Sequence, residues 1–284
     1  MKMKIIYFIA YFIFYPMLIS AQANYEIIGL ENKTVRLGKC HFMDVSFMEC
    51  VYEHKIFDPY KDDIRIEDKI LEIGRNAIRY GDYGIYLRDS VIKTDYPDGI
   101  LRRDYSAISK KYGGRLHELV IDLKQNTATY FHSIFGDHYY YEEAIPKIDW
   151  ILTETKENIC GYVCTKATAT FRGRKWTAWY AEGLQINCGP WKFNGLPGLI
   201  LKVEDDTKEH TIEAIQIRKS KKSFGYYSRS SPSKMDRTTF NKMLSDYMWD
   251  PDNFLAGNPL LPPQAKPRQG TAKKRLFYNP IELD

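Results

Sequence analysis

Between residues 44 and 218 apolar and polar side chains alternate over short runs. Period two is the mark of strands that bury one face. Residues 44–56, 64–73 and 76–83 read as three such strands, with 64–73 alternatively two joined by a turn and Gly81 at a bend in the last. The clearest hairpin pairs 116–123 with 127–133 across Lys124-Gln125-Asn126. A second pairs 161–171 with 175–181 across Arg172-Gly173-Arg174, and a third links 199–203 to 210–218. Connections this short predict antiparallel neighbours. Helical spacing is rarer: 83–92, 103–111 and, most clearly, 236–249. In that last run Phe240, Met243, Leu244, Tyr247 and Met248 recur behind a capping Asp236. The pattern predicts a mainly β protein, a curved antiparallel sheet or half-barrel of roughly eight to eleven strands. One or two helices pack on it.

One stretch organises the rest, Cys188 to Leu201. Its glycines and prolines sit among Trp191, Phe193 and four aliphatic residues. Leu196-Pro197-Gly198-Leu199 fits a type II turn, with proline presetting φ and glycine accepting φ > 0. Trp191 and Phe193 are two apart and point the same way if the segment is extended. The expected result is a rigid loop over one end of the sheet, with one of the two rings tucked inside.

Composition adds a compartment. Residues 1–21 read as a secretory signal, with Lys2 and Lys4, an apolar run to Ile19, and small residues Ser20, Ala21 and Ala23 closing it. Cleavage after Ala21 or Ala23 fits equally. The apolar run is shorter than the ~20 residues of a membrane span, and no second run predicts one in the mature chain. The expected location is the periplasm or cell envelope, with secretion from the cell as the alternative. The division is then 1–21 leader, 22–218 β-rich domain, and 219–284 basic segment, short helix and Pro/Gly-rich tail. The formal charge of +5 falls further with the leader, too mild for a nucleic-acid partner. The 22 tyrosines and 14 phenylalanines favour strands.

The five cysteines, Cys40, Cys50, Cys160, Cys164 and Cys188, are odd in number, so at least one stays unpaired within the chain. In an oxidising compartment disulfides are allowed. Cys160 and Cys164 are too far apart along one strand to bridge. Cys40–Cys50, Cys160–Cys188 and Cys164–Cys188 remain open. Residues 40–54 also collect soft ligands: Cys40, His41, Met43, Met48, Cys50 and His54. Thiolate, thioether and imidazole together suit Cu(I), although a Cys40–Cys50 disulfide with the methionines as core filler explains them too. His117, His132 and His138 lie on or near the first hairpin; with Asp137 they offer a metal or acid–base group if the register allows, and otherwise surface histidines. Glu204-Asp205-Asp206 reads as a solvated turn. Residues 219–234 suit anionic headgroups or a solvated linker.

Trp150 to Ala167, Thr177-Ala-Trp-Tyr180 and Gly189 to Ile200 together closely resemble the GLPGLI family, exported Bacteroidetes proteins of uncharacterised function. Its name is the hexapeptide Gly195-Leu196-Pro197-Gly198-Leu199-Ile200. Tyr278 to Leu283 resembles the tail of many members. The resemblance is strongest over 150–201 and weak across 219–275. It implies export and supplies no activity, cofactor or catalytic residue. The chain departs at Glu182-Gly-Leu-Gln. Cys164 matches a family cysteine while Cys160 and Cys188 do not, which singles out a Cys160–Cys188 bridge.

No zinc helix, nucleophile elbow or phosphate loop occurs. By fold analogy with lipoprotein-carrier half-barrels, the expected function is a non-catalytic binding or carrier module. It takes an apolar, lipid or peptide ligand, or an outer-membrane partner. Trp176, Tyr180, Trp191 and Phe193 are the ligand-contact candidates, with core packing the competing explanation. The alternatives are a copper-binding protein using the N-terminal cluster and a thiol hydrolase using Cys164.

Overall fold

The structure is a computed structural model describing residues 32–115, 117–134, 137–227, 232–256 and 275–284. The leader at 1–21, its cleavage site, Arg229 and the tail stretch 257–274 lie outside the described residues. In chain order the elements begin with β1 (Thr34–Val35), β2 (Cys40–Val45), β3 (Met48–Asp58), β4 (Asp63–Ile73) and β5 (Ala77–Asp82). Then come α1 (Tyr83–Asp95), β6 (Ile100–Leu101), α2 (Arg102–Tyr112), β7 (His117–Asp122), β8 (Thr127–Ile134) and β9 (Asp137–Ala144). β10 (Ile151–Ile159), β11 (Tyr162–Phe171), β12 (Arg174–Ala181), β13 (Leu199–Asp205) and β14 (His210–Lys219) follow. β15 (Ser223–Tyr227), β16 (Ser233–Lys234), α3 (Arg237–Trp249) and α4 (Pro251–Ala256) complete the series.

The chain divides into two compact units. The smaller takes Met1–Leu37 and Leu87–Gly113. Among its described residues β1 pairs antiparallel with β6, and α2 runs on directly from β6. Asp104 in the first turn of α2 and Lys110 and Lys111 in the last complement its dipole.

The larger unit takes Gly38–Tyr86 and Gly114–Asp284. It is built on one sheet in the order β10-β11-β12-β13-β14-β3-β4-β5-β7-β8-β9-β16. Every pairing is antiparallel except the short β16, parallel to β9. The two ends of this order do not pair, so the sheet is open rather than a closed barrel. All three predicted hairpins form, and three helical runs are found at the expected places. α3 is capped by Asp236, whose carboxylate accepts from Thr239 N at 2.9 Å.

The structure departs from expectation at several points. The sheet has twelve strands, one beyond the expected range, and four helices are described. The predicted strand 44–56 breaks at Ser46, because Ser46 N donates to Lys222 O while Phe47 N donates to Ile73 O. β2 therefore leaves the main sheet and pairs with β15. Within the tail, 251–256 is helical and Arg275 is fixed to Asp58 at 2.6 Å.

The type II turn at 196–199 does not form. Gly195, not Gly198, adopts positive φ (92°). Gly198 N instead donates to Leu196 O at 2.9 Å, a tighter three-residue turn. Glycine is needed at 198 for a different reason: a Cβ there would sit 2.3 Å from Ala181 O. Leu199 N then reaches Leu184 O and Ile200 N reaches Cys188 O, both at 2.9 Å, which ties the loop to the start of β13. Trp191 has φ 53°, so the segment is not extended and the two aromatics diverge. Phe193 is buried against Trp176, Phe171 and Trp150, with Trp176 nearest at 4.7 Å between ring centroids. Trp191 turns the other way, edge-on to Tyr130 at 5.0 Å.

Candidate functional site: a histidine-floored cleft

Residues directly opposite in antiparallel strands share a sheet face. The registers Ile212↔His54, His54↔Glu67, Lys69↔Asp82, Tyr80↔Leu119, His117↔His132 and Tyr130↔Tyr141 put a polar row across β14, β3, β4, β5, β7, β8 and β9. Above this row lies a cleft of about 540 Å³, within the ~300–1,000 Å³ of small-molecule sites. Its floor is polar: His54, Lys69, Tyr80, His117, His132 and His210. Its walls are largely apolar. α3 supplies Phe240, Leu244, Tyr247 and Met248, and the C-terminal segment supplies Leu276, Phe277 and Ile281. Trp191, from the organising loop, also lines it.

The walls are held by buried ion pairs. Lys192, whose side chain is 0% exposed, reaches Glu143, Glu282 (2.7 Å) and Tyr141 Oη (2.9 Å). Glu282 also accepts from Trp191 Nε1 at 2.8 Å and from Arg237 at 3.0 Å. Asn279 donates to Phe57 O and Glu209, and Arg174 donates to Asn279 and to Pro280 O. The loop, α3 and the chain end are thus tied into one wall.

On the floor, Lys69 Nζ lies 2.8 Å from Glu67, 3.5 Å from Asp82 and 2.8 Å from His117 Nε2. An ammonium has only donors, so His117 Nε2 accepts and the His117 proton resides on Nδ1. His54 Nε2 and His210 Nδ1 are 3.1 Å apart, so one donates and the other accepts. Burial pulls His132 and His210 from 6.5 down to about 4, and His54 and His117 well below 6.5. Lys69 and Arg115 add to the effect at His117 and His132. All four imidazoles are therefore neutral at pH 7. Burial raises Glu67, but Lys69 and two arginines outweigh it and hold its carboxyl below the usual range.

Three buried atoms on cleft-lining residues make no hydrogen bond: Tyr80 Oη, His132 Nδ1 and His210 Nε2. The sequence offered one clue to this floor, the possible His117–His132 pairing; their rings now stack at 5.9 Å. His54, Lys69, Tyr80 and His210 went unrecognised as a group, since only the strand order brings them together.

Of the expected ligand contacts, Trp191 lines the cleft, whereas Phe193 and Trp176 are packed together in the core at 1% and 2% exposure. Tyr180 is buried as well, on β12 away from the cleft lining. His138 faces the opposite side of the sheet from His132, its Nδ1 2.6 Å from Ser133 Oγ. That side carries a second cleft of about 440 Å³, lined in part by His41, Met43 and Tyr226.

The soft-ligand set is not gathered. Cys40 and His41 are on β2, where His41 stacks on Tyr226 at 4.9 Å, while Met48 and Cys50 are on β3 in the other sheet. Among the described residues no three His, Cys, Asp or Glu side chains are placed to hold a metal ion. None of the expected disulfides is present: Cys40, Cys50, Cys160, Cys164 and Cys188 are all free. Cys40 and Cys160 are exposed and the other three buried. Burial pushes the Cys164 thiol up to about 11 and Cys50 up to about 12, the reverse of the lowered pKa that activates a nucleophilic cysteine.

Residues 138–242 match the family described as N-glycanase peptide, N-terminal domain. The motif run 150–201 that resembles GLPGLI proteins lies inside this span. No curated protein matches the chain. Two solved structures of PNGF-II, in the P21 and C2 space groups, are similar at 15% identity, with TM-scores of 0.49 and 0.47. Each match covers 73% of this chain and 34% of that one, so this chain spans about a third of the length of those it resembles. A domain of an outer membrane lipoprotein-sorting protein from Vibrio parahaemolyticus matches at 10% identity and a TM-score of 0.20, covering 69% of this chain and 90% of that one. Among the described residues no helix is long and apolar enough to cross a membrane.

Proposed function

We propose that the protein is an exported binding module that holds a small amphipathic ligand in the histidine-floored cleft. The observation that carries this reading is the division of the cleft into a polar floor and an apolar wall. Leu244, Met248, Leu276, Phe277 and Ile281 give an alkyl or aryl body a dry surface. The floor gives its head hydrogen-bonding partners. Kinship with the N-glycanase N-terminal domain matched over 138–242 and with GLPGLI proteins belongs to the same proposal. Export rests on the leader pattern at 1–21.

The test is titration of the purified protein with N-phenyl-1-naphthylamine, whose emission rises in apolar surroundings. Saturable binding to one site is expected, with energy transfer from Trp191. Met248→Arg, which puts a charge on the wall, is expected to abolish the signal while circular dichroism stays unchanged. A signal that survives Met248→Arg would refute the assignment to this cleft.

A further inference from the structure

We infer that the cleft, read as an amphiphile site, is selective for a head group that is uncharged and carries several hydroxyl or amide groups.

The first ground is the pairing of charge on the floor. The ammonium of Lys69 already faces Glu67 and Asp82, and the Glu67 carboxylate also has Arg65 and Arg115 at 3.9 Å. The Arg65 guanidinium lies over the Phe277 ring at 3.9 Å, so it is engaged by the wall as well. Around His210 the Arg174 guanidinium bonds Asp205 at 2.7 Å and Glu209 at 2.9 Å. An anionic head would compete with Glu67, Asp82 and Glu209 for cations already paired. A cationic head would meet Lys69, Arg65 and Arg115. Either ion gives up its hydration on entering and finds no free counter-charge among these groups.

The second ground is the unpartnered atoms. Tyr80 Oη, His132 Nδ1 and His210 Nε2 are buried, lie on three different strands, and make no well-formed hydrogen bond; the backbone of Ser133 lies near the His132 ring and that of Pro280 near the His210 ring, so the Tyr80 hydroxyl is the fully unpartnered one. Tyr80 is 5% exposed and His210 1%. Buried polar atoms without partners are costly, and a ligand that satisfies them recovers that cost. Burial pushes the Tyr80 phenol well above its usual range, so it offers an O–H. A neutral imidazole nitrogen either donates or accepts, according to tautomer. The phenol and the two adaptable imidazoles, spread over β5, β8 and β14, each suit hydroxyls and amides, which themselves both donate and accept. A single ketone or ether oxygen cannot engage all three. An apolar body in the wall and a polyhydroxylated or amide head on the floor therefore define the ligand class.

The test compares three probes with the same chain, decyl glucoside, decanoate and decyltrimethylammonium. Each competes with N-phenyl-1-naphthylamine at pH 7.5, below its micelle concentration. The glucoside is expected to bind at least tenfold more tightly than either ion. Tyr80→Phe and His210→Phe are each expected to reduce that preference at least fivefold. Because Tyr80 Oη has no protein partner, Tyr80→Phe is expected to leave the unfolding midpoint unchanged or raised, so lost selectivity cannot be put down to lost fold. Ions that bind as tightly as the glucoside, or a preference intact in both variants, would overturn the head-group inference and leave the amphiphile reading standing. Failure of all three probes to compete would overturn both.

Discussion

Acidification is the perturbation that tests the histidine floor most directly. His132 and His210 titrate near 6.5 unfolded and about 4 folded. The folded value is the lower one, so the unfolded chain takes up more protons between the two. Stability is complete above pH 6.5 and declines as pH falls toward 4. From pH 7 to pH 5 a group with these two values costs about 2 kcal/mol, hence about 4 kcal/mol for the pair. His54 and His117, shifted in the same direction, add to this. Glu72 and Asp68, both raised chiefly by burial, change stability in the opposite sense. The surroundings support the sign. His210 faces His54, Arg174, Asp205 and Glu209, and His132 faces His117, Lys69 and Arg115. Against a total of about 5–15 kcal/mol, the loss is a large fraction. The assay is urea unfolding followed by tryptophan fluorescence at pH 7.0 and 5.0, for the parent chain and His210→Asn. The parent should lose about 4 kcal/mol, and the variant about 2 kcal/mol less than the parent. Equal stability of the parent at both pH values would refute the claim that burial holds these imidazoles neutral.

Three further outcomes are expected. Lys192→Met removes a fully buried cation from Glu143 and Glu282, which keep Arg172 and Arg237, and should cost about 1–3 kcal/mol; adding Glu282→Gln should recover part of it, read by thermal unfolding. Gly198→Ala forces a Cβ against Ala181 O and should cost about 1–3 kcal/mol, whereas Gly183→Ala, with nothing within 4 Å, should stay within about 0.5 kcal/mol of the parent in chemical denaturation. Phe240→Ala removes a fully buried ring packed on Tyr130 and Tyr141; it should cost about 3–5 kcal/mol, and probe titration should show weaker binding as the apolar wall recedes.

Local pattern determined a good deal. Alternation over 116–133, 161–181 and 199–218 with short turns specified three hairpins, because turn length and a buried face together fix register. The capping Asp236 and the apolar spacing behind it specified α3. The same arithmetic allowed His117 and His132 to be neighbours across one hairpin, and the register His117↔His132 made them so.

Other features depended on partners far along the chain. Ser46 and Phe47 look like the middle of a strand, but their amides find Lys222 and Ile73, and the strand divides there. Gly198 reads as a turn glycine, yet what requires it is the carbonyl of Ala181 seventeen residues earlier. The cleft floor joins His54 to His210, 156 residues apart, because β14 lies beside β3 instead of ending the sheet. Period-two alternation says which side chains share a face of one strand and nothing about which strands are neighbours. Strand order is a tertiary property, set by long-range hydrogen bonding and burial, and it assembled the cleft.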